Sequence, residues 1–345
     1  LARGDLFVAL VGPHFDGHGF VSEAAGKGAI GALVSRTLET DIATVQVADT
    51  RLSLGQLAAH WRRQFPIPVI AVTGSNGKTT VKNMIAAILN VAGPTLATQG
   101  NLNNDIGVPL TLLRLRQGDR HAVIEMGMNH PGEIDYLTRL ARPTIALINN
   151  AAAAHLAGLG SVEAVARAKG EIYAGLAADG IAVINADDAY ADLWRELAAP
   201  HRIITFGLDR PADVSAECEL DAGGSSIHLK TPYGGISMRL SLLGRHNVMN
   251  ALAASSASLA AGVSLADIQA GLEKLKSVSG RLEVKRGLNG ARVLDDTYNA
   301  NLSSVQAAID LEGETVTNAD GTISAPLRLT VRERAAHRVA FGAGV

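Results

Sequence analysis

Pro68-Val69-Ile70-Ala71-Val72-Thr73-Gly74-Ser75-Asn76-Gly77-Lys78-Thr79-Thr80 decides how the rest of this chain is read. The apolar run Val69-Ile70-Ala71-Val72 predicts a buried strand, and it ends in a glycine loop followed by a lysine and two hydroxyls. Val81, Met84, Ile85, Ile88 and Leu89 then recur at helical spacing. Strand, glycine loop, Lys-Thr and helix is the arrangement that wraps backbone N–H groups around the phosphates of a nucleotide. Thr73, Gly74, Ser75, Asn76, Gly77, Lys78, Thr79 and Thr80 are therefore candidate nucleotide-binding residues. Lys78 is expected to reach the terminal phosphates and the Thr79 hydroxyl to sit on Mg²⁺. Position 72 is Val, so the common G-x-x-x-x-G-K-[ST] spacing is replaced by the shorter T-G-x-x-G-K-T. A plain Gly-Ser-Asn-Gly turn before a helix would explain the glycines, but not the strand and Lys-Thr-Thr beside them.

Upstream, residues 1–65 read as a small α/β module. Strands are expected within Asp5–Leu10 and Gly31–Val34, with a helix around Phe20–Gly26. The loop between the first strand and that helix carries Asp16, Gly17 and His18, a sequence as compatible with an ordinary Asp-Gly turn as with a ligand contact. Pro66 and Pro68 exclude helix continuation and mark the expected domain boundary.

Downstream, Thr98–Pro109 is a polar loop with Asn101, Asn103, Asn104 and Asp105, rich in donors and acceptors. His121–Ile124 is a further apolar run ending in Glu125. Ligands of open parallel sheets sit at the carboxyl ends of strands, so Glu125 falls where a second Mg²⁺ contact is wanted. Thr144–Ile148 leads through Asn149 and Asn150 to His155, and a lone histidine is more often structural than catalytic. A helix is expected from the cap Ser161 to the turn Asp179-Gly180. Lys169 lies on its apolar stripe among Val165, Ala166, Ile172 and Tyr173. An inward lysine must be neutral, paired or modified, and a neutral amine can take up CO₂ as a metal-binding carbamate. A lysine snorkelling from the edge of the stripe fits the spacing equally well.

Two more buried strands, at residues 181–185 and 202–206, complete an alternation that indicates a doubly wound, mainly parallel sheet. Residues 214–243 read as an antiparallel meander. An alanine-rich helix running to about Ala261, a second helix capped by Ser264 and a hairpin turned at Asn289-Gly290 follow. The hairpin ends at Asp295 and Asp296, which suit ribose hydroxyls, a metal or a solvated turn.

The length of 345 residues allows two or three domains, and 47% apolar with 19% charged residues fits a soluble globular protein. A formal charge of −2 argues against nucleic acid and against a polybasic membrane contact. The single cysteine, Cys218, excludes an internal disulfide and suits a reducing compartment. No apolar run approaches the roughly 18 residues of a membrane span. No signal peptide is visible, and a cytoplasmic location is expected, although the chain starts at Leu1 without a methionine.

Taken together, GDLFVALVG with DGH, VTGSNGKTT, GNLNNDIGVPLTLL, IEMGMNHPGEI, AHLAGLGS, ARAKGEIY, LGRHNVMNALAA, SGRLE and DDTYNAN resemble, in order, the Mur ligases of peptidoglycan synthesis. These are ATP-dependent amide-forming enzymes, with folylpolyglutamate synthase among their relatives. The match runs from about Gly4 to about Asp310. The asparagine loop and DDTYNAN resemble the member that adds D-alanyl-D-alanine to UDP-N-acetylmuramoyl-tripeptide. The resemblance implies that Thr79 and Glu125 hold one Mg²⁺, with His155 and carbamylated Lys169 at the second metal and γ-phosphate region. It implies ATP contacts from Asn250, Arg281 and Asp296, the last on the ribose. It implies that Asp16, Gly17, His18, Asn101, Asn103 and Asn104 face the UDP-muramoyl substrate, and that Lys78, Glu125, His155, Lys169 and Arg281 serve catalysis.

The implied organisation is a substrate-binding module at 1–65, a central ATP-binding domain at 66–310 and an atypical tail at 311–345. The tail is shorter than the family's third domain, Leu302 replaces the proline after NAN, and Ala157 replaces a common acidic residue. These departures lead us to expect a shortened ligase that binds nucleotide with impaired turnover, acting as a monomer. A different Mur-type or folate-type ligase, and a nucleotide-binding module without turnover, are the competing readings.

Overall fold

The computed structural model describes residues 1–153, 159–221, 223–275, 283–286 and 292–295. Strands β1 (Leu6–Val8), β4 (Gly31–Val34) and β5 (Ala43–Gln46) form a parallel three-stranded sheet in the order β1-β4-β5. Between β1 and β4 lie the short pair β2 (Val11–Gly12) and β3 (Phe15–Asp16), a 3₁₀ turn at Gly17–Phe20, and α1 (Val21–Gly26). Ala9, Val21, Ala32 and Val34 make its small core.

Helix α2 (Thr50–Arg62) starts where the Asp49 carboxylate accepts from the N–H groups of Arg51 and Leu52. Its Ala58 and Ala59, with Phe65 beyond it, are buried in the core of the next unit rather than in the small one. Arg62 fastens the far end, donating to the carbonyls of Ala141 (3.0 Å) and Phe65 (2.5 Å).

The main sheet has six strands in the order β11-β10-β9-β6-β8-β7. These are β6 (Val69–Thr73), β7 (Thr95–Ala97), β8 (His121–Glu125), β9 (Ile145–Ile148), β10 (Ile181–Asn185) and β11 (Arg202–Phe206), every neighbouring pair being parallel. Side chains alternate across a strand, so Val69 and Ala71 enter one core and Ile70 and Val72 the other. The Val69–Thr73 run is apolar throughout because both faces of a parallel sheet are covered. On one face lie α4 (Gly107–Leu112), α5 (Glu133–Ala141), α6 (Val162–Gly170) and α7 (Ala191–Ala198). On the other lie α3 (Lys78–Ala92), α8 (Arg245–Ala260) and α9 (Leu265–Glu273). Val81, Met84, Ile85, Ile88 and Leu89 of α3 are fully buried there, each burial worth roughly 1.5–3 kcal/mol before entropy is subtracted.

The antiparallel meander β12 (Ser215–Asp221), β13 (Gly224–Thr231) and β14 (Gly234–Leu240) closes the second core with Ile227, Leu229, Met238 and Leu240. Strands β15 (Glu283–Arg286) and β16 (Arg292–Asp295) pair antiparallel, as expected for the hairpin, whose Asn289-Gly290 turn lies outside the described residues. The fold class expected from the sequence is therefore the observed one.

One expected element is shorter than its sequence signals. The helix capped by Ser161 ends at Gly170, and Glu171–Gly175 is a 3₁₀ turn. Packing against α5 redirects the chain: Thr138 Oγ1 donates to the Ile172 carbonyl at 2.8 Å, taking it as an acceptor from outside the helix. The Glu171 carboxylate meanwhile accepts from the N–H groups of Gly132 and Asp135 at the start of α5.

Candidate nucleotide and metal site

The strand order switches at the carboxyl ends of β8, β6 and β9, where chain connections diverge to opposite sides of β6, the position at which open α/β sheets bind ligands. The loop Gly74–Gly77 leaves β6 at that point. Gly77 adopts φ 76°, ψ −6°, and among the described residues no side chain caps α3 after it. Helix-start N–H groups without a side-chain cap are the donors that a phosphate accepts from.

Asparagines from three elements brace the loop. The Asn76 N–H donates to Asn150 Oδ1 (2.9 Å), and Asn149 Nδ2 donates to the Asn76 carbonyl (3.0 Å) and to Asn250 Oδ1 on α8 (2.9 Å). Asn185 at the end of β10 donates to the Asn149 carbonyl at 2.9 Å. The Ser75 hydroxyl joins Ala152 in both directions, and Asp188 accepts from the Ala151 N–H at 2.9 Å. Thr73 is buried, its hydroxyl donating to the Met126 carbonyl (2.9 Å), which ties β6 to the end of β8. Lys78 Nζ donates to the Gly74 and Ser75 carbonyls at 2.7 and 3.2 Å, folded over its own loop. Thr79 and Thr80 are half-buried in the first turn of α3.

Glu125 ends β8 opposite Val72 and is 2% exposed. Its Oε1 accepts from Asn103 Nδ2 at 2.9 Å, while its Oε2 is buried without a hydrogen-bond donor among the described residues. A buried carboxylate oxygen lacking a donor is costly, and a hard cation would satisfy it. Among the described residues no three His, Cys, Asp or Glu side chains converge as a metal cage. One carboxylate beside a hydroxyl and a phosphate loop is the donor set that suits Mg²⁺, which keeps waters and takes the rest of its ligands from phosphates. The residues present fit that ion.

Lys169 on α6 is 2% exposed, which removes the snorkelling alternative. Burial first, and the positive charge of Lys78 second, hold its amine well below the usual lysine range.

The substrate-facing expectations divide. Asn103 is turned onto Glu125, and Asn101 is exposed. Asn104 is a helix cap, its Oδ1 accepting from the N–H groups of Gly107 (2.8 Å) and Ile106 (3.3 Å) at the start of α4. Asp16, Gly17 and His18 form a clasp within the first sheet. Asp16 caps the 3₁₀ turn and holds Arg36 (3.0 Å), and these bonds, with His18 first among them, lower its carboxyl to about 2. Buried His18 donates from Nδ1 to Asp16 and accepts at Nε2 from the Ser35 N–H at 2.9 Å. A Cβ at Gly17 would lie 2.6 Å from the Leu10 carbonyl oxygen, so the clasp tolerates only glycine there. His18→Ala leaves the Ser35 N–H without its acceptor, and a loss of about 1–3 kcal/mol is expected in denaturant unfolding. His155, Arg281 and Asp296 lie outside the described residues.

Sequence reasoning missed Lys82, Thr98, Asn149 and Asn185. Lys82 is 3% exposed; its Nζ donates to the Thr98 carbonyl at 2.9 Å and stands 4.0 Å from Glu125 Oε2. The signal was available: Lys82 follows Lys78 by four residues, one helical turn along the same face.

The Mur ligase middle domain family model matches residues 72–258, from β6 into α8. A UDP-N-acetylmuramoyl-tripeptide–D-alanyl-D-alanine ligase of Escherichia coli K12 is 48% identical over 316 residues, covering 91% of this chain and 70% of that protein. A crystal structure of MurF from Acinetobacter baumannii superposes with a TM-score of 0.87 at 45% identity, covering 90% of this chain and 68% of that one. MurF ligase from Thermotoga maritima, solved in complex with ADP, gives 0.79 at 28% identity, covering 92% and 73%. A braced glycine loop, a carboxylate at the neighbouring strand end and these likenesses lead to one statement: the chain belongs to the Mur ligase family.

Proposed function

We propose that this chain is an ATP-dependent ligase that joins D-alanyl-D-alanine to UDP-N-acetylmuramoyl-tripeptide, a step of peptidoglycan precursor synthesis. The observation that carries it is the pairing of the glycine loop that opens α3 with Glu125, one strand away, whose buried Oε2 has no hydrogen-bond donor among the described residues. The relatives' names support the choice of substrates.

The chemistry must overcome the repulsion between a substrate carboxylate and a triphosphate. In this reading Lys78 and the N–H groups opening α3 hold the phosphates and stabilise charge on the transferring phosphoryl group. Thr79 and Glu125 would hold one Mg²⁺, with His155 and a carbamate on Lys169 at the second. Magnesium, when bound, neutralises phosphate charge and favours in-line attack. The substrate carboxylate attacks the γ-phosphorus and ADP leaves; the D-alanyl amine then attacks the acyl carbon and phosphate leaves. Asn250, Arg281 and Asp296 orient ATP, while Asp16, Gly17, His18, Asn101, Asn103 and Asn104 border the UDP-muramoyl substrate. Asn103 would do so while fixing Glu125, which joins substrate position to metal position. Residues 1–65 then serve the UDP-substrate and residues 66–310 the nucleotide. No helix among the described residues is long and apolar enough to cross a membrane, and a monomer in the cytoplasm completes the reading.

The test is phosphate release from ATP. Release that requires both UDP-N-acetylmuramoyl-tripeptide and D-alanyl-D-alanine is expected. Release with a different amino substrate, or with a folate and glutamate, would move the chain to another ligase. ATP binding without release under every substrate would leave a nucleotide-binding module.

A further inference from the structure

Lys82 is a buried cation that the ligase chemistry does not use. It projects from α3 one turn beyond Lys78, and at 3% exposure its ammonium has no route to bulk water. Its contacts tie it to Glu125 and to the strand beside it. Its Nζ donates to the Thr98 carbonyl at 2.9 Å. It faces Glu125 Oε2 at 4.0 Å, and that is the oxygen without a hydrogen-bond donor among the described residues. Thr98 is itself tied to the same glutamate, its hydroxyl accepting the Glu125 N–H at 2.9 Å. Asn103 holds the other carboxylate oxygen, so the orientation of Glu125 is set from both sides before any ligand arrives.

We propose that Lys82 is a positioning residue that stands in for the metal at Glu125, so that the nucleotide-free protein holds divalent cations weakly and loads them with the nucleotide. This rests on the reading of Glu125 as a magnesium ligand. A divalent ion on Glu125 and a fixed ammonium beside the same carboxylate repel with twice the charge product of a monovalent pair, in a region where water screens little. The ammonium is held by the Thr98 carbonyl and enclosed by protein, so it does not withdraw as the metal arrives. Nucleotide phosphates bring several negative charges to the adjacent loop and offset that repulsion. Metal affinity therefore rises when phosphates are present. Loss of the Lys82–Thr98 hydrogen bond reaches Glu125 through the Thr98 backbone, whereas loss of the charge acts on the metal directly, so the charge decides the sign.

Mn²⁺ is the probe, counted as free ion by electron paramagnetic resonance with the whole chain and no nucleotide. Lys82→Met is expected to bind Mn²⁺ about tenfold more tightly than the parent. Lys82→Gln keeps a donor for the Thr98 carbonyl and loses the charge, and it is expected to tighten binding similarly. Lys82→Arg retains the charge and is expected to stay near the parent. With a non-hydrolysable ATP analogue present, the gap between Lys82→Met and the parent should narrow. Unchanged or weaker Mn²⁺ binding in Lys82→Met and Lys82→Gln, with parent-like circular dichroism, would overturn the proposal. If Lys82→Met does not fold, Lys82→Gln against Lys82→Arg decides it by the same criterion. Glu125→Gln separates the two readings: parent-like Mn²⁺ binding in that variant sinks Glu125 as the ligand, whereas lost binding there with no effect at Lys82 sinks the Lys82 proposal alone.

Discussion

Gly77→Ala is expected to weaken nucleotide binding about 100-fold, the equivalent of one or two charge-assisted hydrogen bonds. Two effects act together. Gly77 sits at φ 76°, where an L side chain costs roughly 1–2 kcal/mol. A Cβ there would also lie 2.5 Å from both Asn149 Nδ2 and Asn250 Oδ1, the atoms that bond to each other across the back of the loop. Relief requires the loop to move forward or the two asparagines to part, and either change turns the N–H groups that start α3 away from a phosphate. Titration calorimetry with ATP measures the loss. Gly118→Ala is the control, since a Cβ there meets nothing within 4 Å, and its affinity and unfolding midpoint should match the parent. Parent-like ATP affinity in Gly77→Ala would mean that the loop does not hold phosphates.

The second large effect is at Lys169. Lys169→Ala is expected to lower phosphate release by about 10³-fold, the scale of removing one preorganised charge-stabilising group. If the amine acts as a carbamate, a small exogenous carboxylate such as formate should restore part of the rate, and ¹³C-labelled bicarbonate should give a carbamate resonance that the variant lacks. Full activity in Lys169→Ala would rule the residue out of the chemistry.

Stability carries an independent signature. The folded amine has a depressed pKa, so between that value and the unfolded lysine range the unfolded chain binds one more proton than the native one. Stability in CO₂-free buffer should therefore rise with pH across that window and be lowest below it. Lys169→Met should flatten this slope in denaturant unfolding followed from acid to alkaline pH.

How far the sequence could be read depended on where each signal was stored. Val69–Thr73 announced itself because a parallel strand covered on both faces must be apolar along its length. Strand β5 did not: Ala43–Gln46 is exposed at every position and lies at a sheet edge, so it carries no apolar run. Lys169 was legible as an inward lysine from its stripe, but whether its amine reached water depended on what packs over α6. Asn104 read only as a ligand-facing residue, and its Oδ1 also holds the start of α4, a contact that becomes visible once its neighbours are known.

Local spacing was enough to determine the glycine loop after β6, the doubly wound sheet and the carboxylate at the end of β8. These features follow from periodicity and turn chemistry within a few residues, which any stretch of chain carries by itself. The bracing of that loop could be decided only in three dimensions. Asn149 and Asn250 are 101 residues apart in the chain and bonded at 2.9 Å, and Lys82 meets Glu125 across a helix and a strand. Both contacts depend on burial and on electrostatic fields summed over distant segments, and a buried charge has no partner until the tertiary structure supplies one.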